Sequence, residues 1–211
     1  MEKQAEKSQK VFIKKEDEKI LVVERKKLFV DGEFNGIRKI DFDSYKKLIE
    51  DNKQFLWRSK METDISYKQI IPYLVFNFED KFFLMRRRSD ASDVRLQDKY
   101  SLGIGGHIRE ADIAQNSIFD WARREFEEEV NYSGDFKIEP IGLLNDESDF
   151  VGQVHTGFVF LLKGDSDKIS IRDEHRDGKL QTLQECLQVY EKMESWSQLV
   201  FDYLNKLLPN L

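Results

Sequence analysis

The chain has 211 residues, a net charge of −6, 40% hydrophobic and 35% charged residues and three prolines, a composition that fits a globular protein with a full core and excludes a disordered or low-complexity one. A sequence pI near 5.3 offers no broad basic face, so neither nucleic acid nor an anionic membrane is an expected partner. The single cysteine cannot close an internal disulfide, the opening "MEKQAEKSQK" has no apolar signal segment, and no apolar run approaches the roughly 20 residues of a spanning helix; a cytoplasmic protein is expected.

In chain order, "VFIKK", "KILVVE" and "KLFV" read as short strands, and "DFDSYKKLIEDN" reads as a helix opened by an Asp or Ser cap. Residues 1–60 form an N-terminal extension, and the main domain is expected over residues 61–211. There "SYKQIIPYLVFNF" and "KFFLMRRR" flank a turn at Glu79-Asp80 as a hairpin, with Pro72 assigning its position to an edge or a bulge. The polar loop "SDASDVRLQDKY" leads into "SLGIGGHI", whose Gly103, Gly105 and Gly106 permit close approaches that a side chain forbids. A helix follows, then the strands "DFKIEPIGLL" and "QVHTGFVFLL", then the helices "LQTLQECLQVYEKM" and "SWSQLVFDYLNKLL". Cys186 reads as a small buried apolar residue. His107 either touches phosphate or packs against the glycine loop, His155 reads as structural and His175 as exposed; none has zinc-ligand spacing with another His or Cys.

The stretch "REFEEEV", residues 124–130, raises an electrostatic question. Glu125, Glu127, Glu128 and Glu129 stand at the end of an amphipathic helix, where the macrodipole is already negative and each anion costs about 0.3–1 kcal/mol. At about 100° per residue, Ile118, Phe119, Trp121, Ala122, Phe126 and Val130 fall within one apolar arc. Glu125 and Glu129 fall inside that arc and Glu128 on its flank, while Glu127 points to solvent. Pairing at i,i+4 with Arg123 and Arg124 accounts for Glu127 and for Glu128, but not for Glu125 and Glu129. Crowded carboxylates beside apolar surface raise one another's pKa values, and a hard divalent cation, Mg²⁺ or Mn²⁺, resolves the conflict through oxygen ligands shared with water and phosphate.

From Gly105 to Tyr132 these residues resemble the signature of the Nudix hydrolases, G-x5-E-x7-R-E-U-x-E-E-x-G-U. The R-E-U-x-E-E part is intact at Arg124, Glu125, Phe126, Glu128 and Glu129. The isolated Glu of the pattern falls on Asp112 counted forward from Gly106, and on Asn116 counted back from Arg124, so four residues are inserted. A longer loop or an early helix with Asp112 and Gln115 as a capping box would take them up. The late glycine is Asn131, which also accepts a left-handed position. "LLNDESDFVGQVHTGFVFLL" and "MESWSQLV" extend the resemblance to about residues 66–205, toward predicted MutT-type phosphoesterases.

The resemblance implies an α/β protein, a mixed sheet in an α/β/α sandwich with the N-terminal extension added. It implies an enzyme that uses water to cut the diphosphate of a nucleoside diphosphate linked to a further group. Mg²⁺ or Mn²⁺ would be held by Glu125, Glu128, Glu129 and the Gly105 carbonyl, with Arg124 positioning Glu128 or the glycine loop. The general base is a box glutamate, Glu125, or Glu174 in "DEHRDGKL". A non-catalytic nucleotide sensor and an RNA-end pyrophosphohydrolase, the latter carried only by "MRRR" at 85–88, are the competing functions. The expected partner is a small-molecule nucleoside diphosphate derivative, with a homodimer left open.

Overall fold

Period-two alternation in three neighbouring strands sets the architecture. In a computed structural model, which describes residues 17–89, 96–113, 118–172 and 175–207, the chain opens with β1 (Lys19–Glu24), a single turn α1 (Arg25–Leu28), β2 (Gly36–Arg38), α2 (Phe42–Asn52), β3 (Gln54–Trp57) and a single turn α3 (Arg58–Met61). The hairpin β4 (Tyr67–Phe78) and β5 (Lys81–Arg87) follows, then the two-residue strands β6 (Tyr100–Ser101) and β7 (Ile104–Gly105). Helices α4 (Glu110–Ile113) and α5 (Ile118–Glu129) precede β8 (Val130–Tyr132), β9 (Phe136–Asn145), α6 (Phe150–Val154) and β10 (His155–Gly164). The chain closes with β11 (Ile169–Ile171), β12 (His175–Thr182), α7 (Leu183–Cys186), a 3-10 stretch over Leu187–Lys192 and α8 (Ser195–Leu207).

The main sheet runs β12-β5-β4-β10-β9-β2, with β1 and β7 also pairing β4, β3 pairing β1 and β6 pairing β5; β8 and β11 form a separate pair. Among the described strand pairs only β4 and β10 run parallel, so the sheet is mixed. Because successive side chains in a strand point to opposite faces, Ile70, Leu74, Phe76, Phe83, Met85, Phe158, Phe160 and Leu162 enter one core with Trp121, Ala122 and Phe126 of α5. Tyr73, Val75, Phe82, Leu84 and Val159 enter the other with Val200, Phe201 and Leu204 of α8. Two helical layers on one sheet make the expected α/β/α sandwich. Residues 19–57 are built onto it: β1 pairs β4, and Leu21, Val23, Leu28, Phe29 and Ile49 share the α5-side core.

Several sequence expectations are met. Asp41 caps α2 by accepting from the Ser44 amide over 2.9 Å, Glu79 and Asp80 make the hairpin turn with Glu79 at φ 52°, and Cys186 is buried, which pushes its thiol up to about 12. Others are corrected. "KLFV" is not a strand, because α1 ends at Leu28, which turns into the core. "LQTLQECLQVYEKM" is not one helix: β12 takes residues through Thr182, which forms a capping box with Glu185 for α7, and the 3-10 stretch follows. Pro72 lies in the central strand, opposite Phe158 of β10. Its missing N–H falls in a gap on the other side of β4, since β1 reaches Gln69 and β7 begins at Tyr73. Asn131 is not left-handed; pairing of β8 with β11, Asn131 opposite Ser170, draws the chain straight from the helix into a strand. "VFIKK" lies outside the described residues.

Candidate active site

Helix α5 carries the acidic box across the end of the glycine segment. Trp121, Ala122 and Phe126 are fully buried, and Phe126 stacks on Phe76 of β4 at 5.5 Å, which fixes the rotation of the helix. That rotation half-buries Glu125 and Glu129 and leaves Glu127 and Glu128 exposed. The side chain of Glu125 packs against the backbone of Gly106, where a Cβ would collide with Oε1. A side chain at that glycine would displace the carboxylate.

The box is electrostatically loaded. Burial first, and the neighbouring Glu128 second, push the Glu125 carboxyl up to about 7. Arg124 is shared: it reaches Glu128 at 3.3 Å and Asp112 at 2.9 Å. Asp112 is almost fully buried and also binds Arg109 through its guanidinium, at 3.1 Å for each oxygen, and through the Arg109 backbone N–H at 2.8 Å. These hydrogen bonds hold its carboxyl below the ordinary value against the opposing effect of burial, the largest single influence. Asp112, the position reached by counting forward from Gly106, thus anchors Arg124. The expected capping partner Gln115 lies outside the described residues. Arg123 pairs with Asp135 at 3.4 Å and stacks on the Phe136 ring at 4.2 Å, so the i,i+4 pairing expected with Glu127 is replaced.

Gly105 sits in β7 opposite Tyr73, next to a cavity of about 320 Å³ lined by Gly105, Gly106, His107, Ile71, Tyr73, Arg87, Lys99, Asp149, His155, Glu194 and Trp196 among others. Its floor is a buried polar network. Arg87 pairs with Glu194 at 2.9 Å, Ser101 donates to Glu194 at 3.2 Å, and the Tyr73 hydroxyl meets Ser197 at 2.8 Å; burial pushes Tyr73 up to about 12. The "MRRR" run does not form an open basic channel: Met85 is core, Arg86 pairs with Asp98 and Arg87 with Glu194.

Glu174 lies outside the described residues. The "DEHRDGKL" segment around it is largely β12, which pairs with β5, rather than a loop. The box carboxylates share one helix end, but the three described residues whose ligand atoms all lie within 4.8 Å of one another are Glu62, His107 and His155. That convergence was invisible in the sequence, because neither spacing nor periodicity brings positions 62, 107 and 155 together before the order of β7, α3 and β10 is known.

The donor set suits a hard divalent cation. Burial, and then the neighbouring Glu128, oppose ionisation of the half-buried Glu125, a cost that an oxygen-seeking cation removes.

No family model matches the chain. It is 33% identical over 204 residues to Protein YmaB of Bacillus subtilis (strain 168), covering 90% of this chain and 98% of YmaB. The crystal structure of Tm1382, described as a Nudix hydrolase, superposes with a TM-score of 0.76 and 31% identity over 90% of this chain and 100% of that one. The NUDIX domain of Shewanella oneidensis NrtR, crystallised with ADP ribose, shares the fold at TM-score 0.53 and 17% identity, over 67% of this chain and 88% of that one. No described helix is long and apolar enough to cross a membrane.

Proposed function

Because this chain belongs to the Nudix hydrolases, we propose that it cleaves the diphosphate of a nucleoside diphosphate linked to a further group, with Mg²⁺ or Mn²⁺ held at the α5 acids. Residues 61–211 form the catalytic domain in this reading, and residues 1–60 an extension whose described part adds Leu21, Val23, Leu28, Phe29 and Ile49 to the core. The observation that carries it is the buried-side carboxylate of Glu125 seated on Gly106 beside Glu128.

Glu125, Glu128, Glu129 and the Gly105 carbonyl would hold the cation, which supplies charge screening for the phosphates and a more acidic water. Arg124, anchored by Asp112, keeps Glu128 at the box. The cavity next to Gly105 and Gly106 accepts the remainder of the substrate, with Trp196 and Ile71 as apolar wall and Lys99 as a cation for a phosphate. The base is Glu125 or Glu174. The intact acids weigh against a sensor without turnover, and the ion pairs of Arg86 and Arg87 against an RNA-end substrate. The experiment is a metal-dependent screen of product release over nucleoside-diphosphate derivatives, dinucleoside polyphosphates and capped RNA. Hydrolysis confined to the first group supports the proposal, and hydrolysis of capped RNA alone overturns it.

A further inference from the structure

The cluster of Glu62, His107 and His155 stands apart from the acidic box in chemistry. We infer that it is a second cation site, for a borderline transition-metal ion of the Zn²⁺ or Co²⁺ class, with its open coordination position facing the cavity.

Three separate segments supply the donors. Glu62 follows α3 where the extension meets the main domain, His107 follows the glycine pair, and His155 opens β10. Their ligand atoms lie within 4.8 Å of one another. The two Nε2 atoms are 3.3 Å apart, and two nitrogens each about 2.0–2.1 Å from a tetrahedral zinc stand about 3.4 Å apart. The rings are tilted by 59° with centroids at 5.4 Å, so the nitrogen tips converge rather than the faces stacking.

At His155 the supporting contact has the form that metal-binding histidines require. Nδ1 of His155 donates to the Val151 carbonyl over 2.8 Å, which places the proton on Nδ1 and the lone pair on Nε2, facing His107. Arg58 orients Glu62 through a 3.0 Å hydrogen bond. Gln69 donates to the Met61 carbonyl over 3.2 Å, which turns its Oε1 toward Nε2 of His107 at 2.7 Å, a contact that an ion at this nitrogen has to replace. Two neutral imidazoles and one carboxylate match the three-ligand set of catalytic zinc, and nitrogen donors favour such ions over Mg²⁺. His107 and His155 both line the cavity, so the remaining position is open to what enters it. Without an ion, Nε2 of His107 acts as the donor to Gln69 and His155; coordination requires its proton on Nδ1 instead. A simple hydrogen-bonded pair is therefore the competing account.

Co²⁺ titration of the chelator-stripped full chain, in saturating Mg²⁺ to occupy the box, distinguishes the two. The expected result is one equivalent of Co²⁺ with the intense visible bands of four-coordinate cobalt, displaced by Zn²⁺. Binding should weaken at least tenfold in His107→Asn and in Glu62→Gln and persist in Glu128→Gln. His107 and Glu62 are chosen because the more deeply buried His155 could fail to fold when replaced, and each variant is checked by its melting curve. Weak octahedral bands only, or unchanged binding in both variants, overturns the site and leaves the hydrogen-bonded pair. Because the signal is spectroscopic and the box is filled with Mg²⁺, this failure is separable from failure of the hydrolase reading.

Discussion

Nη2 of Arg124 donates to Oδ1 of Asp112 over 2.9 Å, tying the signature arginine on α5 to an acid twelve positions earlier. The bond spans the inserted residues, so the signature is closed in space where it is interrupted in sequence. Asp112→Asn should remove most of the charge-assisted bonding and cost about 1.5–3 kcal/mol. It should also lower kcat by loosening Arg124, while Asp112→Glu recovers part of both. Urea denaturation with steady-state kinetics checks this; a neutral Asp112→Asn would show that the contact does not support the site.

The Glu125 carboxyl gives a pH prediction for the metal-free chain. Its folded pKa, about 7, lies above the ordinary glutamate value of 4.5. The folded state therefore binds this proton more tightly, and the contribution to stability is full below about pH 4.5 and lost as pH rises through about 7. With chelator present, Tm should fall across that window, Glu125→Gln should make the fall shallower, and saturating Mg²⁺ should flatten it in the wild type. Identical slopes in wild type and Glu125→Gln would contradict the shift.

A buried lysine of the main domain and Arg25 of the extension share one carboxylate, Glu147. Lys68 is fully buried, bonded to Glu147 at 2.8 Å and to the Gly152 and His155 carbonyls at 2.8 and 3.2 Å, while Arg25 pairs with both Glu33 and Glu147. Burial lowers the pKa of Lys68 against the pull of Glu147. Glu147→Gln leaves the ammonium without its carboxylate and should cost roughly 2–3 kcal/mol, below the about 3–5 kcal/mol of a fully buried pair because Glu147 is partly exposed. Lys68→Met should cost less, since Arg25 still meets Glu147. Equilibrium unfolding of the two variants gives the order, and a larger loss for Lys68→Met would reverse this account.

The choice of base is decided by kinetics at saturating metal. If Glu174 takes the proton, Glu174→Gln lowers kcat with little change in KM, because the lost interaction belongs to the transition state. Near-full kcat in Glu174→Gln beside an inactive Glu125→Gln assigns the base or essential-ligand role to Glu125.

The parts of the fold legible in the sequence were those governed by local periodicity. Alternation marked β1, β4, β5 and β10, and the 3.6-residue period marked α2, α5 and α8 and set Glu125 and Glu129 on the buried flank of α5. What failed depended on pairing between distant segments. Pro72 sits in a central strand because its neighbours on one side stop short of it. Asn131 is extended because β11 pairs with it, and residues 180–182 are strand because β5 takes them as partner. His107 and His155 meet only because β7 and β10 both pair with β4, information that no single segment carries.

The central claim is that the α5 acids hold the cation that hydrolysis requires. The most direct measurement is kcat of wild type and Glu128→Gln at saturating Mg²⁺ on the best nucleoside-diphosphate derivative of the screen, with far-UV circular dichroism as the control for fold. Removal of one preorganised charge at the reacting centre costs at least about a hundredfold, and Glu128→Gln, exposed and outside the core, should show that loss with an unchanged spectrum. A folded Glu128→Gln that turns over at near the wild-type rate would contradict the assignment.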